Sequence, residues 1–324
     1  MKHILEKLLN KENLTHLEMR EVFSKIMNGE MDDANIAAFL VALRMKGETE
    51  EEVFVAADIL RDYAEKVSID DDVVLDTCGT GGAKNKTFNV STTCALVLAA
   101  AGVTVAKHGN RSNSGASGSS DVLTALGVNI QMTKEETEQK IKEGGIGFLF
   151  APLYHPAMRH VVPVRKSLGI RTIFNLLGPL ANPAHVKYQV IGVFEKDLVE
   201  KYALILQRLG HKKAIVVHGE GGFDEFSLCG KSQYALLENG EISLHEVSPE
   251  DLGLEKSSLE ALEGGSVELN AKITESILKG EEHGAKSDLV ALNTGAALFV
   301  AGKASSLKEG VKIAKGVIVS GKAY

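Results

Sequence analysis

The apolar run Val73-Val74-Leu75 leads into Asp76-Thr77-Cys78-Gly79-Thr80-Gly81-Gly82, and an Ala-, Leu- and Val-rich segment over residues 91–101 follows. That order of short strand, glycine loop and buried helix then repeats. Val103-Thr104-Val105-Ala106 reads as a second strand, a polar Gly/Ser loop follows, and residues 120–126 read as a second helix. The alternation predicts an α/β sheet with its function in the loops. It returns in the strand candidates 188–194 and 214–218, which flank a helix over 198–209. Residues 287–301 and 306–318 read as closing helices. The stretch 230–267 is mixed and turn-rich, and no element is assigned to it.

Residues 3–65 have a different character. Thr15 with Glu18, and Thr49 with Glu52, read as capping boxes, and Gly29 and Gly47 sit where helices would stop. Three or four short helices and no strand are expected there. A chain of 324 residues suggests two domains, or one with a satellite, and is long enough to bury a core without staples. With 36 basic and 43 acidic residues the formal charge is −7, which gives no global attraction for nucleic acid or an anionic membrane. An anion would have to be bound by a local site. Cys78, Cys94 and Cys229 read as free thiols in a reducing compartment. The first residues are not those of a signal peptide, and no apolar run approaches the ~20 residues of a membrane span. The expected location is the cytoplasm.

Four constellations carry chemistry. In the first, three glycines in four residues let the backbone turn and approach a ligand closely. Asn89, Val90, Ser91 and Thr92 then open a helix, whose unpaired N–H groups suit a phosphate, and Thr87, Ser91 and Thr92 add hydroxyls. A glycine turn after a strand is also common without any ligand, and the spacing is neither that of a Walker A loop nor of a Rossmann fingerprint. The second, Lys107-His108-Gly109-Asn110-Arg111-Ser112 running on through Asn113, Ser114, Gly115 and Ser119, repeats the logic with cationic, amide and hydroxyl donors. Alone, Lys107 and Arg111 read as solvated charges and His108 as a structural histidine. The third, Asp224-Glu225 after a strand end, suits Mg²⁺, which takes few protein oxygens; a polar turn is the plainer alternative. In the fourth, Arg159 and Arg165 fall on one helix, where Arg165 is suited to clamp a carboxylate, or else both are surface arginines. Residues 175–183 look like a fixed turn between domains.

With these strings in order, the chain resembles the anthranilate phosphoribosyltransferases nearly end to end, most specifically over residues 107–112, 151–155 and 171–183. The resemblance implies a small all-helical domain, residues 1–65 with about 165–183, which carries the dimer contact and the anthranilate side. It also implies a larger α/β domain, residues 66–164 and 184–324, with a central mixed, mainly parallel sheet of the nucleoside phosphorylase-like kind. The implied reaction joins anthranilate to 5-phosphoribosyl 1-pyrophosphate with Mg²⁺, in a homodimer. By motif, Gly79, Gly82, Ala83, Thr87, Asn89, Val90, Ser91, Thr92, Lys107, His108, Gly109, Asn110, Arg111, Ser112, Asn113, Ser114, Gly115 and Ser119 would bind the sugar diphosphate. Gly79, Asn110 and Arg165 would meet anthranilate, and Ser91, Asp224 and Glu225 would hold the metal. No catalytic residue is fixed, with His108 the one candidate for taking the amine proton. The chain departs from the family at Ala83, where an Asp is usual, followed by Lys84-Asn85-Lys86, which puts a second metal site in question. Two rivals remain. One is a pyrimidine nucleoside phosphorylase-like enzyme, against which Arg165 and the Asp224-Glu225 pair weigh. The other is a nucleic-acid-binding paralogue, against which the acidic charge weighs.

Overall fold

Residues 1–81, 87–111 and 117–324 are described by the computed structural model. Helix α1 (Lys2–Leu9) precedes α2 (His16–Asn28), whose start is fixed by the Thr15 box: the Thr15 N–H donates to the Glu18 carboxylate at 2.8 Å and the Glu18 N–H to the Thr15 hydroxyl. Helix α2 ends where Gly29 turns left-handed. Helix α3 (Asp33–Lys46) starts on the Asp32 carboxylate, and α4 (Glu50–Asp62) on the Thr49–Glu52 box. Each such cap is worth about 1 kcal/mol, so these boundaries are set locally.

The chain then alternates. In order come β1 (Val74–Gly79), α5 (Val90–Ala100), β2 (Thr104–Gly109), α6 (Ser119–Ala125), α7 (Lys134–Gly144), β3 (Ile146–Phe150), α8 (Ala151–Tyr154), α9 (Val162–Leu168) and α10 (Phe174–Leu177). After them come β4 (Tyr188–Gly192), α11 (Leu198–Arg208), β5 (Lys213–Gly219), β6 (Ser232–Glu238), β7 (Glu241–Val247), α12 (Leu259–Leu262), α13 (Val267–Leu278), α14 (Ala285–Val300) and α15 (Leu307–Val319). The seven strands form one sheet in the order β3-β2-β1-β4-β5-β6-β7, parallel through β5 and antiparallel over the last two pairings. The β6–β7 turn is Asn239-Gly240 with both φ angles positive, at 55° and 79°, the backbone a two-residue hairpin needs.

Along β5 the side chains alternate between two cores. Ile215 and Val217 face α5, α14 and α15, whereas Ala214 and Val216 face α11 and the helical bundle. The bundle core, with Phe23, Phe39 and Leu43, also takes in Val161, Val164, Ile173, Phe174 and Leu177 from the later segment, and the Phe23 and Phe174 rings are 5.5 Å apart. Among the described residues no helix is long and apolar enough to cross a membrane.

Three local expectations need correction. Arg159 and Arg165 do not share a helix: Arg159 lies in a 3-10 turn (Pro156–His160) and Arg165 lies in α9. Pro163 has no N–H to continue the ladder, so the helix starts anew at Val162. Both early strands run further than their apolar letters, so Asp76, Thr77 and Cys78, and likewise Lys107 and His108, are strand residues with alternating directions. The segment 174–180 is not a plain turn but α10 followed by a 3-10 turn (Gly178–Leu180).

Candidate active site

Strand order reverses at β1, which pairs with β2 on one side and β4 on the other. Ligands of open parallel sheets bind at such a switch point, beyond the strands' C-terminal ends. Here Gly79 and Gly192 end the two strands as register partners. Their lack of side chains is required, since a Cβ on Gly79 would lie 2.4 Å from the Asp224 carboxylate and one on Gly192 1.5 Å from the Asp224 carbonyl oxygen. The segment after β5 therefore folds back across the strand ends and delivers Asp224 and Glu225 to the switch point.

The Asp224 carboxylate accepts the Gly81 N–H at 2.9 Å, and Glu225 accepts the Thr87 hydroxyl at 2.7 Å. Neither carboxylate has a salt-bridge cation among the described residues. Burial holds Asp224 above the usual carboxylate range, and burial together with Asp224 pushes Glu225 up to about 8. The pair lines a cavity of about 20 Å³ with Ser91, Cys78, Cys94 and Asn293. Two adjacent buried acids with only neutral donors are a charge deficit that a divalent cation fits. No group of three or more His, Cys, Asp or Glu gathers among the described residues, and Mg²⁺ asks for only one or two carboxylates beside substrate oxygens.

The second loop leaves β2. Lys107 turns inward, with its ammonium 2.6 Å from the Thr77 carbonyl and 3.5 Å from the Ser91 hydroxyl, and burial lowers its pKa. It therefore lies beneath the first loop. Asn110 accepts at its carbonyl from the Ser119 hydroxyl at 3.2 Å, and its side chain accepts the Arg111 N–H. Asn89 stands before α5, Val90 and Thr92 are buried in its first turn, and Gly109 ends β2 against Ser119. Gly82, Ala83, Ser112, Asn113, Ser114 and Gly115 lie outside the described residues, as do Lys84, Asn85 and Lys86.

Toward the bundle, Arg165 is half-buried, with its guanidinium 5.5 Å from the centre of the Phe174 ring and no carboxylate partner among the described residues. His108 points to the opposite side from Lys107. Its Nδ1 is 3.2 Å from the Gly178 carbonyl and its ring 5.1 Å from that of His155. His108 Nε2 and both His155 ring nitrogens have no hydrogen-bond partner among the described residues. Burial pushes His108 down to about 3 and His155 down to about 4, so both are neutral near pH 7. A protonated unfolded chain is thus favoured on acidification: the stability tied to His155 is present above about pH 6.5 and lost as pH falls toward 4. Denaturant titrations of His155→Phe and the parent should show the parent losing about 2 kcal/mol relative to the variant between pH 7 and pH 5. A constant gap would contradict the buried neutral state.

Sequence reasoning passed over two residues here. Asp76, fully buried, accepts from the Asn182 and Gln189 side chains at 2.9 and 3.2 Å and from the His108 N–H, tying β1, β2 and β4 to the 178–183 turn. Asn293 of α14 accepts the Phe226 N–H at 2.9 Å and donates to the Phe226 carbonyl at 3.0 Å, clamping the residue that follows the acidic pair. A lone Asn inside a helix otherwise rich in Ala, Leu and Val was the available signal.

Bundle, sheet and crevice define a two-domain glycosyl transferase: residues 2–64 match the family's helical bundle domain and residues 71–324 its a/b domain. The chain is 50% identical over 321 residues to the anthranilate phosphoribosyltransferase of Petrotoga mobilis, covering 99% of this chain and 93% of that one. The crystal structure of the Thermus thermophilus enzyme of that name superposes with a TM-score of 0.92 at 45% identity, over 99% of this chain and 96% of that one. The Saccharomyces cerevisiae enzyme in complex with PRPP and Mg gives 0.90 at 28% identity, over 99% and 94%. The chain belongs to the anthranilate phosphoribosyltransferase family.

Proposed function

We infer that this protein transfers the phosphoribosyl group of 5-phosphoribosyl 1-pyrophosphate to the amine of anthranilate, releasing pyrophosphate, in tryptophan biosynthesis. The observation that carries the reading is the meeting of the Gly79–Gly81 backbone with the uncompensated Asp224-Glu225 pair at the switch point, in a chain half-identical to the Petrotoga mobilis enzyme. Relatives support both ligands, since Saccharomyces cerevisiae structures hold PRPP with Mg and, separately, 4-fluoroanthranilate.

Residues 66–164 and 184–324 take the sugar diphosphate, and the helical part, residues 1–65 with about 165–183, presents Arg165 to the anthranilate carboxylate. Displacement at the anomeric carbon breaks the C–O bond to pyrophosphate, forms the N–C bond and releases an amine proton. The chain's own contribution is positioning and charge. Gly79 and Gly81 let the backbone approach the diphosphate, Asn110 and Arg165 orient the amine, and the acids with Ser91 would hold Mg²⁺. Bound there, Mg²⁺ supplies charge neutralisation for the departing diphosphate. His108, neutral and a weak base, is read as a polar lining group; a protonated aryl amine is acidic enough to lose its proton without a strong base. The exposed apolar residues Leu9, Leu17, Met45 and Ile170 on the helical part suit the homodimer contact.

The carboxylate assignment has a direct test. Arg165→Ala should raise the anthranilate KM about 100-fold, the loss of roughly 3 kcal/mol expected for a charged bidentate contact, and the phosphoribosyl pyrophosphate KM less than about threefold. Equal effects on both substrates would remove Arg165 from the anthranilate site.

A further inference from the structure

The residue that opens the helix behind the phosphate loop has an unusual neighbour. Asn89 is the N-cap residue of α5, yet its side chain makes no cap hydrogen bond. Its Oδ1 accepts from the Ser117 hydroxyl at 2.8 Å and from the Asn270 amide at 3.1 Å, and its own amide reaches the Ser117 carbonyl at 3.4 Å. Both lone pairs of that oxygen are thus in use.

Asn270 lies on α13, 181 residues away in the chain, and is 3% exposed. Its own Oδ1 accepts the Gly265 N–H at 2.8 Å. One turn further along both helices, the fully buried hydroxyls of Thr274 and Thr93 meet at 2.9 Å, and the Thr93 hydroxyl lies 3.1 Å from the Asn89 carbonyl. The two helices therefore meet through two polar rungs, Asn270–Asn89 at the loop and Thr274–Thr93 behind it. Just before α13, Glu263 bridges to Thr87, and a Cβ on Gly264 would lie 2.7 Å from the Phe88 backbone. This segment backs the rear of the first loop.

Asn is a favoured N-cap, and an unrestrained Asn89 would turn its oxygen onto the first N–H groups of its own helix. Those donors are the ones a phosphate at a helix N-terminus needs. We propose that Asn270 is a positioning residue for the sugar-diphosphate site, an inference that rests on the function given above. It acts through Asn89. The Val90, Thr92 and Thr93 N–H groups already donate to backbone carbonyls, so by holding that side chain away from its own helix it keeps the Ser91 N–H available, and by sharing Asn89 with Ser117 it ties the exit of the second loop to the entrance of the first.

The test compares Asn270→Ala with Thr274→Val, which removes the equally buried second rung. Calorimetric binding of phosphoribosyl pyrophosphate with Mg²⁺ and steady-state kinetics are read on both variants and the parent, with the melting temperature alongside. Asn270→Ala should weaken phosphoribosyl pyrophosphate binding and raise its KM about tenfold or more, with the anthranilate KM within about twofold. Thr274→Val should lower the melting temperature comparably and leave both KM values within about twofold. Adding Ser117→Ala to Asn270→Ala should cost less than the product of the single effects, because both act through Asn89. Equal changes in both substrates, or a Thr274→Val effect on phosphoribosyl pyrophosphate as large as that of Asn270→Ala, would reduce Asn270 to a packing residue. A parent that binds phosphoribosyl pyrophosphate without turnover overturns the assigned reaction, while the binding comparison still decides the role of Asn270.

Discussion

Asp224→Asn is expected to lower turnover at least about 10³-fold while the protein still folds. The change keeps the side chain's volume and an oxygen for the Gly81 N–H, so the loop contact at 2.9 Å survives. What it removes is one acid of a buried pair, neither member of which has a salt-bridge cation among the described residues. If that pair holds Mg²⁺ against the leaving diphosphate, its loss costs several kcal/mol of transition-state stabilisation, and about 4 kcal/mol corresponds to roughly 10³ in rate. The effect should be partly recovered at high Mg²⁺, with an unchanged circular dichroism spectrum. Full activity at ordinary Mg²⁺ would mean that the pair is only a polar turn.

Gly192→Ala should do comparable damage from a residue with no chemistry. A Cβ there would lie 1.5 Å from the Asp224 carbonyl oxygen and 2.2 Å from its carbonyl carbon, so backbone must move. The obstruction is not a flexible side-chain tip, so relief comes only by displacing the acidic pair or splaying β4 from the 224–226 segment. The expected cost is about 3 kcal/mol or more in denaturant unfolding, with activity per folded molecule also sharply reduced. A variant with parental stability and rate would show that the crossing at the strand ends is looser than described.

Much of this architecture was legible in the letters. The Thr15 and Thr49 boxes announced their helices because capping is a local interaction, and Asn239-Gly240 carried the hairpin signal that the unassigned 230–267 stretch concealed. The strand ends were harder to see. Asp76, Lys107 and His108 are polar letters in buried strands, where partners from β4, the 178–183 turn and the first loop satisfy them. Such partnerships are tertiary and leave no periodic trace. For the same reason Asn270 was invisible as a site residue, and Asn293 showed only as a lone Asn in an apolar helix: each acts on the site from a helix far along the chain. The glycine loop showed that something anionic was a reasonable occupant, but the fold-back of Asp224 across Gly79 and Gly192 explains why glycines end those strands at all.

The most direct test of the central claim is the loss of anthranilate fluorescence on addition of the purified protein, with phosphoribosyl pyrophosphate and Mg²⁺ present together or singly. Consumption should require both, and chelation of the metal should stop it. No consumption at any Mg²⁺ concentration, or consumption that proceeds without phosphoribosyl pyrophosphate, would contradict the function assigned to this site.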